Sequence, residues 1–452
     1  MISRRTRLTP GGEPRCSATL DRDEGGMGST VAPNAVAAVS EARQWDRLME
    51  LAKLGAITGA DGSPGVNRQA LTPLDRAARR LVIGWGEAIG LTASVDILGN
   101  LFLRHEGTEP GAAPVLAGSH MDSQPAGGRF DGIWGVIAAL EAVQALREAG
   151  VATRHPIEVV AWTNEEGSRF APGCMGSMAY AGHSAPDTWD AVTDGEGLAF
   201  GAEAARPARQ RGRPAAARPR RGRGAEAARL CRGAYRAGPD PRGCGDRYRR
   251  GHRHPGQPLV PGRADRRERA CRHLPVSTRR DAVQDMVRAI NALNALMADP
   301  TDVLRFTVAR IEVAPNSSNS VAETVRFTID FRHPDAGVLT ERGDAIEATI
   351  RGAVRDCDVA VTERFHALPV AFAPEVTGAV ERAAAAQGLS AKRMPSGAFH
   401  DAQFMVPLCP SGMIFVPSRR GISHNPAEYS SSEQLAKGTR VLAQVLAELA
   451  KG

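Results

Sequence analysis

Histidine and carboxylate residues recur directly after short apolar runs that are typical of β-strands. His120 ends the run in "APVLAGSH", and a Gly-rich stretch leads from it to Asp131. Glu165 and Glu166 are adjacent in "WTNEEGSRF", and His424 follows the run "GMIFVPS". Neutral imidazoles and carboxylates are ligands that suit divalent zinc or manganese. The pattern therefore predicts a metal site at the ends of several strands.

Each of these residues taken alone has an ordinary explanation. A single histidine beside an apolar run is more often a hydrogen-bonded polar residue than a ligand, and a Glu-Glu pair usually faces solvent. Of two consecutive glutamates, only one can face a metal squarely, which leaves the other as a general base. Asp122, two positions after His120, is predicted to hydrogen-bond the ring and fix its tautomer. The convergence of all these residues on strand ends is what favours a shared site.

The elements that position these residues alternate between strand and helix. A helix is predicted over residues 36–54, and another begins at Pro73 with Thr72 as its N-cap and Asp75 in its first turn. Two strands turn at Gly99-Asn100, and strands are also predicted within residues 113–120, 155–166 and 412–418. A helix is predicted over residues 133–150, with Ile133, Val136, Ile137, Leu140 and Val143 on one face and Gly150 at its end. This order predicts an α/β sheet whose ligands lie beyond the carboxyl ends of its strands.

Charge is distributed unevenly along the chain of 452 residues. Residues 203–276 contain 21 Arg, no Lys and 6 acidic residues, a net charge of +15, whereas the remainder carries −8. The overall net charge of +7 is therefore no general argument for nucleic acid or membrane binding. The sequence has no run of 18 apolar residues that could span a membrane. No apolar stretch follows the N-terminal RRTR, so a secretory signal is not predicted. The seven cysteines form no CxxC pair, so neither a disulfide framework nor a cysteine-based zinc site is indicated. These features predict a cytoplasmic enzyme without a membrane or nucleic-acid partner.

Six longer motifs give a specific resemblance. They are GSHMDSQPAGGRFDG, TNEEGSRFAPGCMGS, PNSSNSV, DFRHPD, SGAFHDAQ and GISHNPAE. In this order they resemble the dinuclear zinc amidohydrolases that include N-carbamoyl-L-amino-acid hydrolases, beta-ureidopropionases and allantoate amidohydrolases, the metallopeptidase-like hydantoinase/carbamoylase family. The resemblance covers roughly residues 36–202 and 277–452. It implies an α/β, zinc-aminopeptidase-like catalytic domain with an inserted, smaller α+β dimerisation (lid) domain.

The resemblance also implies roles for individual residues. Two divalent metal ions, zinc or else manganese, cobalt or nickel, would be held by His120, bridging Asp131, Glu166 and His424, with Glu165 as the catalytic base. Asn319 and Arg332 would grip a substrate carboxylate from the inserted domain. His400 and Gln124 would lie near the substrate pocket, and Asp122 would support His120 from behind. The implied domains are a disordered extension at 1–35, catalytic segments at 36–205 and 335–452, and the inserted domain at 206–334.

The Arg-rich segment departs from the family pattern. The family has two further histidines, in the runs HIEQGP and HAGT, and neither is present. Read one base out of frame, residues 233–239 permit EHIEQGP, 254–260 permit IQGSRWY and 270–275 permit HAGTF. We infer a base change near Ala202 and a restoring one near Val276, with about 74 out-of-frame residues between them. The chain as written would then lack a metal-binding histidine at Ala234 and Tyr235 and an oxyanion-stabilising histidine at Ala270 and Cys271.

The predicted reaction is metal-dependent hydrolysis of a C–N bond in a ureido substrate that carries a carboxylate. The substrate would be an N-carbamoyl-L-amino acid or N-carbamoyl-beta-alanine, and the products the amino acid, CO2 and ammonia. The form of "SQPAGGRFDG" is closer to these enzymes than to allantoate enzymes. Allantoate amidohydrolase, an aminopeptidase-like relative, and a catalytically dead binding protein remain alternatives. An RNA-binding role for the Arg-rich segment is disfavoured because its only aromatic residues are Tyr235 and Tyr248. The predicted partners are the small-molecule substrate and a second copy of the chain in a homodimer.

Overall fold

The computed structural model describes residues 31–210, 230–233, 251–255, 259–260, 279–367, 369–396 and 398–451. The first stretch contains α1 (Val31–Ala38), α2 (Glu41–Ala52), β1 (Ala56–Thr58), β2 (Pro64–Val66), α3 (Pro73–Ala88), β3 (Thr92–Val95), β4 (Leu101–His105), β5 (Val115–His120), α4 (Ile133–Glu148), β6 (Ile157–Trp162), α5 (Met175–Tyr180) and α6 (Phe200–Gln210). The middle contains β7 (Leu230–Gly233), β8 (Gly251–Pro255), β9 (Leu259–Val260), α7 (Ala282–Leu296), β10 (Arg305–Ala314), β11 (Thr324–His333), α8 (Ala336–Ala353), β12 (Asp358–Val359) and β13 (Glu363–Ala367). The last part contains α9 (Pro374–Ala386), α10 (Asp401–Met405), β14 (Ser411–Ile414) and α11 (Ser432–Leu449).

The first larger sheet has the strand order β14-β7-β5-β6-β4-β3. Strands β14, β7, β5 and β6 are mutually parallel. Strand β4 is antiparallel to β6, and β3 is antiparallel to β4, so only β4 runs against the others. Because His120 pairs with Trp162 at the last position of β5 and β6, the loops after these two strands start at the same edge. The predicted α/β sheet is confirmed.

Two layers of apolar side chains cover this sheet. On one side α1, α2, α4, α9 and α11 contribute to the largest buried cluster, which includes Trp134, Leu140 and Leu446. On the other side Trp162, Met178 and Phe404 belong to a second cluster. Helix α4 is buried on every side from Ile133 to Val143, and not on one face as the sequence predicts. The difference arises because helices pack around α4 as well as the sheet, and its one acidic residue there, Glu141, pairs with Arg43.

Capping decides where the N-terminal helices begin. Thr72 accepts a hydrogen bond from the backbone N–H of Asp75, and Pro73 occupies the first position of α3, as predicted. The single helix predicted over residues 36–54 is instead two helices. The Ser40 side chain accepts from the Arg43 N–H and its own N–H donates to Glu141, so Ser40 ends one helix and caps the next. Residues 1–30 of the predicted disordered extension lie outside the described residues, and Val31 already begins α1.

The second larger sheet has the order β12-β9-β11-β8-β13, with β10 also paired to β11, and all of its pairs are antiparallel. Helices α7 and α8 pack on it through Leu293, Leu339 and Ile346, which meet Phe331 of β11. This cluster is separate from the core of the first sheet. The arrangement is an α+β unit inserted in the α/β unit, as the sequence predicts.

The packing of the described residues differs from the predicted boundary at residue 335. The sequence predicts that the second catalytic segment begins at residue 335, but α8 packs against α7 and β13 pairs with β8, so residues 336–367 belong to the inserted unit. The reason is that DFRHPD lies inside this unit and not at its end. Near the other boundary Ala204 is buried, and Glu203 contacts Arg76 and Arg169. The chain therefore packs against the catalytic unit for at least two residues beyond Ala202, near which the base change is inferred. The remaining residues of 202–276 are largely outside the described part of the chain.

Among the residues that the structure describes, no helix is both long enough and apolar enough to cross a membrane.

Candidate active site

Three chain segments bring the predicted site residues to one edge of the first sheet. His120 is the last residue of β5, and the loop after β6 carries Glu165 and Glu166. Gly132, with a φ of 66°, opens α4, and a Cβ at this position would lie 2.2 Å from the His120 ring. Only glycine fits there, which lets the neighbouring Asp131 approach His120. His120 and the two glutamates lie close together because β5 and β6 pair in parallel.

Asp122 holds the two glutamates and the histidine together. Its side-chain oxygens accept hydrogen bonds from the backbone N–H groups of Glu165 at 3.3 Å and Glu166 at 3.2 Å. The His120 Nδ1 lies 2.9 Å from the backbone oxygen of Asp122. Because a carbonyl oxygen can only accept, Nδ1 carries the proton and Nε2 keeps a lone pair toward the site. The backbone oxygen of Asp122 thus sets the His120 tautomer. The Asp122 carboxylate lies 3.7 Å from His120 Nδ1 and instead orders the glutamate loop.

Asp131, Glu166 and His424 form a group with the composition of a metal site. One potential ligand atom from each lies within 4.8 Å of the others. His424 Nε2 is 3.2 Å from Asp131 Oδ2 and 3.4 Å from Glu166 Oε2. The other Asp131 oxygen, Oδ1, lies 4.0 Å from His120 Nε2. One carboxylate therefore presents its two oxygens to two different histidines, the arrangement that a bridging ligand needs.

The electrostatics of this group also fit a cation. Burial raises the pKa of Glu166 well above its usual range, and the negative charges of Asp131, Glu165 and Asp122 act in the same direction. Although burial opposes ionisation of Asp131, the hydrogen bond from His424 and the proximity of the His120 ring hold the pKa of this carboxyl below its usual range. Buried carboxylates close to each other are stable when a positive charge compensates them. The donor set of carboxylate oxygens and imidazole nitrogens matches a divalent ion of the zinc or manganese kind.

The adjacent glutamates face in different directions. Glu166 accepts a hydrogen bond from Gln124 Nε2 at 2.7 Å and lies in the group with His424. Glu165 lies between two other histidines, with Oε2 3.6 Å from His120 Nε2 and Oε1 3.7 Å from His400 Nδ1. Its side chain is only 9% exposed. The arrangement can provide a ligand from one glutamate and a proton acceptor from the other.

The residues predicted to bind substrate are not all brought together. His400 contacts Glu165, and Arg332 lies over the ring of Phe399, the residue before His400. Asn319 lies in the exposed loop between β10 and β11, whereas Arg332 is near the other end of β11. The strand separates them by roughly 25 Å at about 3.3 Å per residue. Asn319 and Arg332 therefore lie near opposite ends of β11 in one chain, and their role in binding a substrate carboxylate stays a prediction.

Several residues of the site were inside the quoted motifs but were not singled out from sequence. Ser423 donates from Oγ to Asp131 Oδ2 at 3.2 Å, and Ser396 Oγ lies 2.5 Å from His400 Nε2. Asp330 accepts from the Arg332 guanidinium. In the sequence, the indication of a role for Ser423, Ser396 and Asp330 was only that each stands within a few positions of a predicted site residue. The positions of the two missing histidines lie outside the described residues; β7, which pairs with β5 and β14, ends at Gly233, directly before the first of them.

Comparison with known proteins places this geometry in a family context. Residues 116–448 match the model of peptidase family M20/M25/M40. An N-carbamoyl-L-amino-acid amidohydrolase of Rhizobium meliloti is 35% identical over 93% of this chain and 99% of its own length. An allantoate amidohydrolase of Bacillus subtilis is 30% identical over 90% of this chain and 97% of its own. The crystal structure of an amidase of the hydantoinase/carbamoylase family from Burkholderia vietnamiensis, 36% identical, superposes with a TM-score of 0.81 over 92% of this chain and 98% of its own. These proteins are named as enzymes, so they give no support to a catalytically dead binding protein.

Proposed function

Because the chain belongs to the peptidase family M20/M25/M40, we propose that it hydrolyses the ureido C–N bond of a small substrate that carries a carboxylate. The substrate class is N-carbamoyl-L-amino acids or N-carbamoyl-beta-alanine. The observation that carries the proposal is the position of Glu165 between His120 and His400, beside the group of Asp131, Glu166 and His424. The similarity to the Rhizobium meliloti enzyme over nearly the whole chain supports the choice of a ureido bond.

The metal ligands that we assign are His120, Asp131, Glu166 and His424. Two divalent ions, zinc or else manganese, cobalt or nickel, are proposed, with Asp131 shared between them because its two oxygens face different histidines. When bound, such ions polarise a carbonyl group and make a water molecule more acidic. Gln124 donates to Glu166 and so keeps that carboxylate turned toward His424.

The remaining residues bind the substrate and move the proton. Glu165 accepts a proton from water and delivers it to the leaving nitrogen, a role that needs a carboxylate held close to the reacting atoms. His400 lies 3.7 Å from Glu165 and restricts its orientation. Arg332 provides the planar fork that pairs with a carboxylate. Cleavage releases the amino acid and carbamate, which decomposes to CO2 and ammonia.

A homodimer is part of the proposal. Asn319 lies too far from Arg332 to share a ligand with it in one chain, but its exposed loop between β10 and β11 is available to a second copy. Light scattering after gel filtration tests this point, because a monomer at assay concentration would contradict it.

The assay that tests the function compares substrates on one metal-loaded preparation. We expect ammonia and free amino acid to appear in equal amounts from N-carbamoyl-L-amino acids or N-carbamoyl-beta-alanine. Allantoate tests the alternative that the Bacillus subtilis relative raises, and dipeptides test an aminopeptidase-like activity. Turnover of dipeptides alone would contradict the proposal.

A further inference from the structure

A guanidinium group and two aromatic rings lie close together where the inserted unit meets the catalytic unit. The guanidinium carbon of Arg332, on β11, lies 5.7 Å from the ring centre of Phe399. The Phe399 ring is in turn stacked on Phe404 of α10, with centres 6.4 Å apart and planes 10° apart. Phe404 is buried in the second core cluster. Phe399 therefore packs beside a buried residue of the catalytic unit and also contacts an arginine of the inserted unit.

A carboxylate holds the same guanidinium at its edge. Asp330 accepts from Arg332 Nε at 3.0 Å and from Nη2 at 2.5 Å. A planar cation that is held at one edge by a carboxylate and on one face by an aromatic ring has lost most of its freedom to tilt or swing. Asp330 lies on the same strand as Arg332, whereas Phe399 is a contact between the cation and the catalytic unit.

The segment that carries Phe399 also reaches the proposed base. His400 follows Phe399 directly, and its Nδ1 lies 3.7 Å from Glu165 Oε1. Ser396 Oγ is 2.5 Å from the His400 Nε2, which ties the start of this segment to its end. Residues 399 and 400 thus contact both Arg332, which would bind the substrate carboxylate, and Glu165, which would act on the scissile bond.

We propose that Phe399 is a specificity-determining positioning residue, which sets the distance between the carboxylate-binding Arg332 and Glu165. The inference rests on the proposed function. Its consequence concerns two isomeric substrates, N-carbamoyl-L-alanine and N-carbamoyl-beta-alanine, which have the same atoms but differ in the spacing between carboxylate and ureido group. A fixed Arg332 favours one spacing, whereas a mobile one accepts both.

The first test measures kcat/KM for both isomers on Phe399→Leu, Phe399→Trp and Phe102→Leu. Phe399→Leu keeps apolar volume but removes the aromatic face, and we expect the preference of the wild type between the isomers to shrink by about 3-fold to 10-fold. Phe399→Trp keeps an aromatic face and should retain the preference. Phe102→Leu, in the same core cluster, controls for general loosening and should leave the ratio unchanged. An unchanged ratio in Phe399→Leu, or an equal loss in the control, would overturn the proposal.

A second test does not depend on activity. The melting temperatures of Phe399→Leu, Arg332→Met and the double variant form a double-mutant cycle. We expect the double variant to lose less than the two single losses added together, because either change alone already breaks the stack. Strictly additive losses would overturn the contact. If no ureido substrate is turned over but the losses are non-additive, the proposed function fails while the stack stands.

Discussion

His424 Nε2 lies 3.2 Å from Asp131 Oδ2, although the two residues come from opposite sides of the Arg-rich segment. The two parts of the chain that match the family motifs therefore meet in one site. His424 has a φ of 55°, in the left-handed region that residues other than glycine adopt infrequently. Such a conformation persists when surrounding contacts hold it, and it is commonly found at functional positions.

Replacing His424 tests the metal group. His424→Ala removes one of the proposed metal ligands. Because the His424 side chain is 53% exposed, the fold should be retained. We expect affinity for zinc or manganese at this position to fall by about 100-fold or more, because losing only an outer partner of a ligand costs about 10-fold to 100-fold. Metal titration by calorimetry measures it. His155→Ala, whose ring contacts the Ala113 oxygen far from this group, is the matched control, and equal losses in both variants would contradict the assignment.

Glu165→Gln separates the base from the ligands. The amide retains the shape of the side chain but cannot accept a proton, so kcat should fall by about 10²-fold to 10⁴-fold. Metal content should stay that of the wild type, because Glu165 lies outside the group of Asp131, Glu166 and His424. Glu158→Gln, on β6 and paired with Arg104, should leave kcat unchanged. Loss of metal from Glu165→Gln would show that it is a ligand and not the base.

Asp122→Asn should weaken metal binding indirectly, through the loop that carries Glu165 and Glu166. The carboxylate accepts from two backbone N–H groups, and an asparagine offers only one oxygen for them. We expect metal affinity to fall by about 10-fold to 100-fold, with a lower melting temperature. Asp96→Asn is a matched control, since Asp96 also accepts backbone N–H groups, those of Leu98 and Asn100. It should lower the melting temperature without the loss of metal affinity.

Glu428 predicts a pH dependence of stability in metal-free protein. Burial and the negative charge of Asp131 raise the pKa of Glu428 well above its usual range. An unfolded chain releases this proton near pH 4.3, at about the reference value. The stability that the proton contributes is thus complete below about pH 4 and is lost as the pH rises through the folded-state pKa.

Glu428→Gln should therefore gain melting temperature relative to wild type as the pH rises from about 5 to about 9. Thermal unfolding with a chelator present measures the difference. Glu433→Gln is the control, because the hydrogen bond from Lys437 lowers the pKa of that exposed carboxyl. A difference between Glu428→Gln and wild type that does not change with pH would contradict the prediction.

Restoring the reading frame should restore both missing histidines. Resequencing codons 195–280 and expressing the frame-corrected gene should give a protein with HIEQGP and HAGT in this region. We expect a rate about 10²-fold to 10³-fold above that of the chain as written, the typical effect of an oxyanion donor, and tighter binding of one of the two proposed metal ions. Equal rates for the two chains would contradict the need for these histidines.

Local signals were sufficient for most elements near the site. The Thr72 cap, the Gly99-Asn100 turn and strands β5 and β6 follow from residue types within a few positions of each element. Ser40 was different, because its N–H is bound by Glu141, a residue distant in the sequence. A break that depends on a long-range partner leaves no periodic signal in the chain. The position of α8 was missed for the same reason, since its partner α7 lies on the other side of β10 and β11.

By itself the sequence determined which residues could do the chemistry, because His120, Asp131, the two glutamates and His424 stand in motifs of recognisable type and order. Only the tertiary structure decided how these residues are arranged around one another. Parallel pairing of β5 with β6 brings Asp122 under both glutamate N–H groups, and the C-terminal loop brings His424 to Asp131. The same folding separates Asn319 from Arg332 by the length of β11 and stacks Arg332 on Phe399. Distances of this kind depend on contacts between segments far apart in the chain, which no local pattern encodes.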